Sequence, residues 1–186
     1  MKNAHIFFAL ACIFFAACSF DYGTSDEDDD SKPNIVMENV EYVRIRGGDP
    51  TMRFKAELAE RYEELQTMNL LNFTFEQFEN HGTEINATGR AGQAYIELDT
   101  GNIRLSGGVW MTIDSEDVVI ETSGLRWRDE EKQLLGEGDD EVEIYRSDGT
   151  RFIGRGFSAS VRERTWEFAS GAEGSYVDED DEEEEE

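Results

Sequence analysis

The run "NIRLSGGVWMTID", residues 102–114, alternates along its length. Ile103, Leu105, Gly107, Val109, Met111 and Ile113 take the odd positions, and Arg104, Ser106, Gly108, Trp110 and Thr112 the even ones. A period of two marks a strand with one apolar face and one wet face. Similar pieces recur downstream, and turn signals separate them at short spacing: "GGDP" at 47–50, "NHG" at 80–82, "DTGN" at 99–102 and "SDGT" at 147–150. The Asp148-Gly149 pair is the strongest of these, because both residues tolerate the positive φ of a tight hairpin. Seventeen glycines against two prolines suit many short strands with tight corners. The chain therefore reads as all-β, built of short antiparallel strands.

One stretch resists that reading. "RFKAELAERYEEL", residues 53–65, is rich in Ala, Glu and Leu and favours helix by propensity. Phe54, Ala56 and Leu58 nevertheless alternate, so residues 52–58 are expected as strand, with 59–66 unassigned.

A weak repeat also runs through the chain. Ala87 and Gly89 correspond to Ile120 and Thr122, and then to Ile153 and Arg155, each step 33 residues by subtraction. A second strand is expected after each ("QAYIEL", "LRWR", "FSASV"), and then a third ("NIRLSGGVWM", "QLLGEGDDEVEI", "TWEFASG"). Repeated β units of this size bury one another's apolar faces and line a continuous interior.

The chain has 186 residues and a net charge of -26, but the charge is concentrated at two places. Asp21–Asp30 carries six acids and Asp178–Glu186 nine. Residues 34–177 hold 28 acids against 15 bases, so the middle is an ordinary acidic domain between two acidic tails expected to be disordered. This balance excludes nucleic acid as a partner, since phosphate binding needs clustered cations.

Residues 1–17 read as a signal peptide. Lys2 precedes "IFFALACIFFAAC", an apolar run well short of the roughly 20 residues that span a bilayer. The run ends in Ala16-Ala17-Cys18, as bacterial lipoprotein signals do, with Phe15 in place of the usual leucine. Cys18 is then the lipidated residue and membrane anchor, and residues 18–33 an extended acidic tether. Cys12 leaves with the signal, so the folded domain, residues 34–177, has no disulfide and stands on its own core. Residues 178–186 form the second tail.

Catalysis has little to work with. His5 lies in the signal and His81 in a turn-like segment, and no serine has a histidine nearby in sequence. The acidic runs lack the spaced ligands and turn glycine of a calcium loop. No enzyme activity, metal or cofactor is expected. What remains is the apolar set: Leu71, Phe73 and Phe75; Ile103, Leu105, Val109, Met111 and Ile113; Leu125 and Trp127; Val142 and Ile144; Phe157 and Val161; Trp166 and Phe168. These residues form either a closed core or a groove for acyl chains, in which each buried methylene contributes about 1 kcal/mol. Arg151, Arg155, Arg162 and Arg164 form the one local basic excess, a candidate rim for phosphate or carboxylate groups.

Residues 39–64 and 92–168 resemble the LptC family. The resemblance rests on "L-x-G-x-V" (Leu105–Val109), "T-x-x-L-x-W" (Thr122–Trp127) and "G-x-G-F" (Gly154–Phe157). It implies an open, twisted β-jellyroll whose interior carries lipid, in the periplasm, beside an inner-membrane ABC transporter complex. It also implies that lipopolysaccharide or a related glycolipid passes to a bridging jellyroll paired with the C-terminal edge strand. Two departures stand out: Cys18 and a tether replace the family's N-terminal helix, and an acidic tail follows the last strand. The competing reading is a lipoprotein with a closed β-domain, an adhesion or scaffold module.

Overall fold

The computed structural model describes residues 32–176. They form ten strands: β1 (Ile35–Arg46), β2 (Asp49–Tyr62), β3 (Thr67–Glu79), β4 (Glu84–Glu97), β5 (Ile103–Ile113), β6 (Val118–Arg128), β7 (Gln133–Gly136), β8 (Glu141–Tyr145), β9 (Arg151–Ser160) and β10 (Thr165–Ser175). All pair antiparallel in one sheet, each long strand beside its neighbour in sequence. β7 and β8 share one lane, each lying between β6 and β9. The signal peptide, Cys12, Cys18, the tether as far as Ser31, Val177 and the acidic tail of 178–186 lie outside the described residues.

Most strands are longer than the short ones expected, running 10 to 14 residues. The cause is specific. Each pair of short strands in the repeat, such as "INATG" with "QAYIEL", is one strand that bends in the middle. The repeat unit is thus a hairpin: β4 with β5, β6 with the β7–β8 lane, and β9 with β10. Its third copy is one residue out of step. Ile120 is buried, whereas Ile153 pairs with Glu143 on the outer face and Phe152 lies opposite Ile144 on the inner one.

The bends line up. Away from the hairpin turns, positive φ falls on Asn39, Asn72, Gly107, Gly108, Gly138, Gly156 and Gly171, on six of the nine lanes. The strand registers place Asn39 across from Glu57, Asn72 across from Gly92, and Gly92 beside Gly107. They form a seam perpendicular to the strands. At Gly107 and Gly108, with φ of 78° and 85°, the backbone takes a conformation that only glycine adopts without strain. A Cβ on Gly92 would lie 2.8 Å from the Gly107 carbonyl oxygen, so the two backbones meet closely there.

The sheet folds over along this seam. Phe152 is paired with Gly174, and Trp166 lies eight residues away from Gly174 along β10. In a flat strand that separation is about 26 Å, yet the Phe152 and Trp166 rings lie 5.2 Å apart. The result is a jellyroll whose two layers come from one sheet. Its core needs no helix to cover it: Ala59, Leu70, Leu125 and Val142 are fully buried, and Phe73, Val109, Ile120, Ile144 and Phe157 nearly so.

Packing also settles the ambiguous segment. Residues 53–62 are strand because Phe54, Ala56 and Ala59 join the core, and tertiary burial outweighs helix propensity. Residues 63–66 are the turn, with Gln66 at positive φ.

Candidate functional site: the inner face of the folded sheet

Reading the strand pairings across the sheet gives continuous rows of side chains. On one side of the seam the row is Ile35, Arg61, Met68, Ile96, Ile103, Trp127, Leu134, Ala159 and Trp166. On the other side it is Tyr42, Phe54, Phe75, Gly89, Met111, Ile120, Ile144, Phe152 and Gly174. Glycine appears here for room: a Cβ on Gly89 would fall 2.3 Å from the Phe75 ring, and one on Gly174 2.7 Å from the Phe152 ring.

Burial along these rows is graded. The Tyr42–Gly174 row is sealed over its central lanes, Gly89 to Ile144, and the Ile35–Trp166 row is half-buried across its middle, whereas both edge strands leave inner-face apolar side chains open to water. On β1 Tyr42 is 51% exposed, with Ile35 and Met37 also exposed, and on β10 Trp166 is 45% exposed. Rings continue out to these edges. Tyr42 stacks on Phe54 at 4.7 Å, and Trp166 meets Phe168 edge-on at 5.6 Å. β1 and β10 each pair on one side only.

Most of the expected interior residues meet one another there. Leu105, Val109, Met111, Leu125, Val142, Ile144 and Phe157 are buried in one core cluster, and Ile103, Ile113 and Phe168 pack against it. Trp127 is half-buried on the same inner face, opposite Ile103, with its Nε1 donating to Asp129 at 3.1 Å. Lys132 holds the Asp129 carboxyl below its usual range by a hydrogen bond, at 2.8 Å.

Three expectations need correction. Leu71 points outward and Leu70 takes its place in the core, because the positive φ of Asn72 switches the face of β3 between Leu70 and Phe73. Val161 sits in the β9–β10 turn, well exposed. Trp166 faces inward but lies at the uncovered edge rather than in the interior.

The four arginines do not form one rim. Arg151 pairs with Glu143 and Arg155 with Glu141 at 3.9 Å, both on the outer face. Arg162 donates to the Glu130 carbonyl at 2.7 Å, and Arg164 occupies the β9–β10 turn at positive φ. Arg151 and Arg164 lie at opposite ends of β9 and its turn, and neighbouring acids on β8 neutralise Arg151 and Arg155. His81 is a surface residue beside Asp49, at 2.6 Å.

Sequence reasoning missed Ile35, Met37, Tyr42, Arg61, Met68 and Ile96 as inner-face residues. Their signal was parity with Ala59 and Phe54, readable only once β2 is taken as strand throughout.

A crystal structure of LptH, the LptA-homologous periplasmic component of the conserved lipopolysaccharide transport device from Pseudomonas aeruginosa, superposes with a TM-score of 0.53. It is 8% identical over 68% of this chain and 95% of that one, a likeness of fold. No curated protein matches the chain. The model of the family described as lipopolysaccharide-assembly, LptC-related, matches residues 4–177, nearly the whole length. With the seam-folded jellyroll and its open-edged apolar interior in place, that match settles the family: the chain belongs to the LptC-related proteins of lipopolysaccharide assembly.

Proposed function

We propose that this protein is a periplasmic, non-enzymatic relay for a lipopolysaccharide-type glycolipid. It takes the acyl chains between the two layers of its folded sheet and passes them to a neighbouring jellyroll. The observation that carries this reading is the graded inner face. Inner-face rows, apolar but for Arg61, run from one edge strand to the other; the Tyr42–Gly174 row is sealed over its middle lanes, the Ile35–Trp166 row is half-buried, and both are open at the ends. A closed core would cover its ends as well. An acyl chain entering at one edge meets a continuous apolar track, along which each methylene contributes about 0.8 kcal/mol.

The unpaired edges supply the neighbours. β10 offers main-chain groups to a bridging jellyroll, and β1 offers the same on the side from which an inner-membrane ABC transporter would deliver lipid. Cys18, lipidated, would hold the chain at the inner membrane through the acidic tether.

Photocrosslinkers placed singly in living cells test the reading. At Tyr42 and Ile113, inner-face positions that are not sealed, they should capture a glycolipid. At Val43 and Thr112 they should not, since one step along a strand reverses its face. Equal labelling at both parities would mean a closed core and favour the scaffold reading.

A further inference from the structure

Among the nine residues of the Ile35–Trp166 row, one is charged. Arg61 lies between Ile35 and Met68, on the same face as fully buried Ala59. Three arginines in the described residues have a buried Nε with no acceptor: Arg53, Arg61 and Arg126. Two of them bring carboxylates to other atoms of the side chain. Arg53 meets Glu76 at 2.9 Å, and Arg126 meets Glu137 at 3.0 Å. Arg61 has no such partner among the described residues.

A guanidinium stays charged at any physiological pH, and burying part of it without an acceptor costs free energy. Met or Leu would fill the position without that cost. In a domain that carries 28 acids, the absence of a paired carboxylate is itself informative. The natural partner is then brought by the ligand. Arg61 is one lane in from the open β1 edge, where Ile35 and Met37 are exposed. A group bound to it would therefore sit at the entrance, with attached chains running on along the apolar row. The planar fork of a guanidinium matches two oxygens of a phosphate or carboxylate.

We infer that Arg61 is the headgroup-binding residue of the slot, selecting amphiphiles that carry a phosphate or carboxylate directly beside their acyl chains. This rests on the relay reading and adds to it a charge requirement that acyl binding alone does not impose.

Binding to the full chain is measured with three probes of one chain length, each below its critical micelle concentration: dodecyl phosphate, dodecanoate and uncharged dodecyl maltoside. Inorganic phosphate is the fourth arm. The wild type should favour the two anionic heads over maltoside by about tenfold, the scale of one charge-assisted hydrogen-bond pair. Arg61→Gln should erase that preference and leave maltoside binding within about twofold, and Arg61→Lys should keep part of it. Inorganic phosphate alone should not bind at millimolar concentration, which would identify the source as a lipid rather than free phosphate. Anionic preference retained in Arg61→Gln, or tight binding of inorganic phosphate, overturns the inference while the slot stands. A wild type that binds none of the dodecyl probes overturns the slot, and this inference with it.

Stability gives a reading independent of ligand. Arg61→Met should raise the melting temperature of the lipid-free chain, because the thioether fits between Ile35 and Met68 without an orphaned donor. A lower melting temperature would mean that the guanidinium serves the fold, against the inference.

Discussion

Leu125→Ala and Trp166→Ala separate a packed core from an open slot, because the two residues share the inner face but differ in cover. Leu125 is fully buried in the β6 lane. Its truncation leaves a cavity and should cost roughly 3 kcal/mol. Lipid affinity per folded molecule should barely change, since no acyl chain reaches a sealed position. Trp166 is 45% exposed. Taking roughly 250 Å² for a whole tryptophan, about 110 Å² remains uncovered. A chain that shields half of that surface gains about 1.4 kcal/mol, or about tenfold in affinity. Its loss to stability should be smaller than that of Leu125, about 1–2 kcal/mol, because on the edge strand almost half of the ring lies uncovered, its aromatic contacts being Phe152 and Phe168. Urea unfolding gives stability, and titration with dodecyl maltoside gives affinity, corrected for the folded fraction. If Trp166→Ala leaves the corrected affinity unchanged, the edge is only the frayed margin of a closed core, and the slot argument fails.

Gly89→Ala should destabilise by about 1–3 kcal/mol through overpacking, since its Cβ would fall 2.3 Å from the Phe75 ring; an unchanged urea midpoint would show that Phe75 can swing aside. Lys132 and Arg151, by hydrogen bonds, hold the carboxyls of Asp129 and Glu143 below their ordinary values. A depressed folded pKa adds stability above the unfolded value, so this contribution should be full at neutral pH and fade below about pH 4. Asp129→Asn with Glu143→Gln should flatten that acid-side loss of melting temperature, and an equally steep loss would refute the assignment. On β10, Thr165→Pro or Glu167→Pro should abolish copurification of the bridging jellyroll where alanine does little, with circular dichroism confirming the fold. Copurification surviving both prolines in a folded domain would place the contact elsewhere.

Parity made the central strands legible. The odd positions of 103–113 face inward as read, because the two glycines at 107 and 108 together absorb the bend without changing the face. On β3 the bend falls on a single residue, Asn72, so the parity that holds for Phe73 and Phe75 fails for Leu71. Asparagine tolerates positive φ but does not announce it, and only its place in the seam, opposite Gly92, shows that it bends here. "QLLGEGDDEVEI" reads as one strand and is two, because Asp140 returns a hydrogen bond to Glu137 and breaks the ladder. The basic patch failed for another reason. Arg151 and Arg155 take outer-face positions on β9, where Glu143 and Glu141 on the same face of β8 neutralise them, a pairing that depends on register. Arg61 stayed hidden because its segment looks helical until Ala59 is known to be buried.

Nine lanes could have closed into a barrel, joining β1 to β10 and removing both edges. Folding along the seam leaves both edges unpaired, and the two are unlike. β1 exposes apolar side chains on both faces, Ile35, Met37 and Tyr42 inward, Val36 and Val43 outward. β10 carries Thr165, Glu167, Ala169 and Gly171 between its inward rings, and little apolar surface beyond Trp166 and Phe168. A strand added at β1 would bury side chains on both faces as well as completing main-chain hydrogen bonds. One added at β10 would gain mainly the hydrogen bonds, whose net worth is modest in water. Under the proposed relay, a β1 contact would therefore be the more durable and a β10 contact the more readily broken. Two unlike edges suit a head-to-tail series in which the jellyroll paired at β10 differs from the one paired at β1. Under the proposed relay, the apolar rows of neighbouring units would run on from one to the next, and lipid would move without crossing water, the unit held more firmly to the supplying side than to the receiving one.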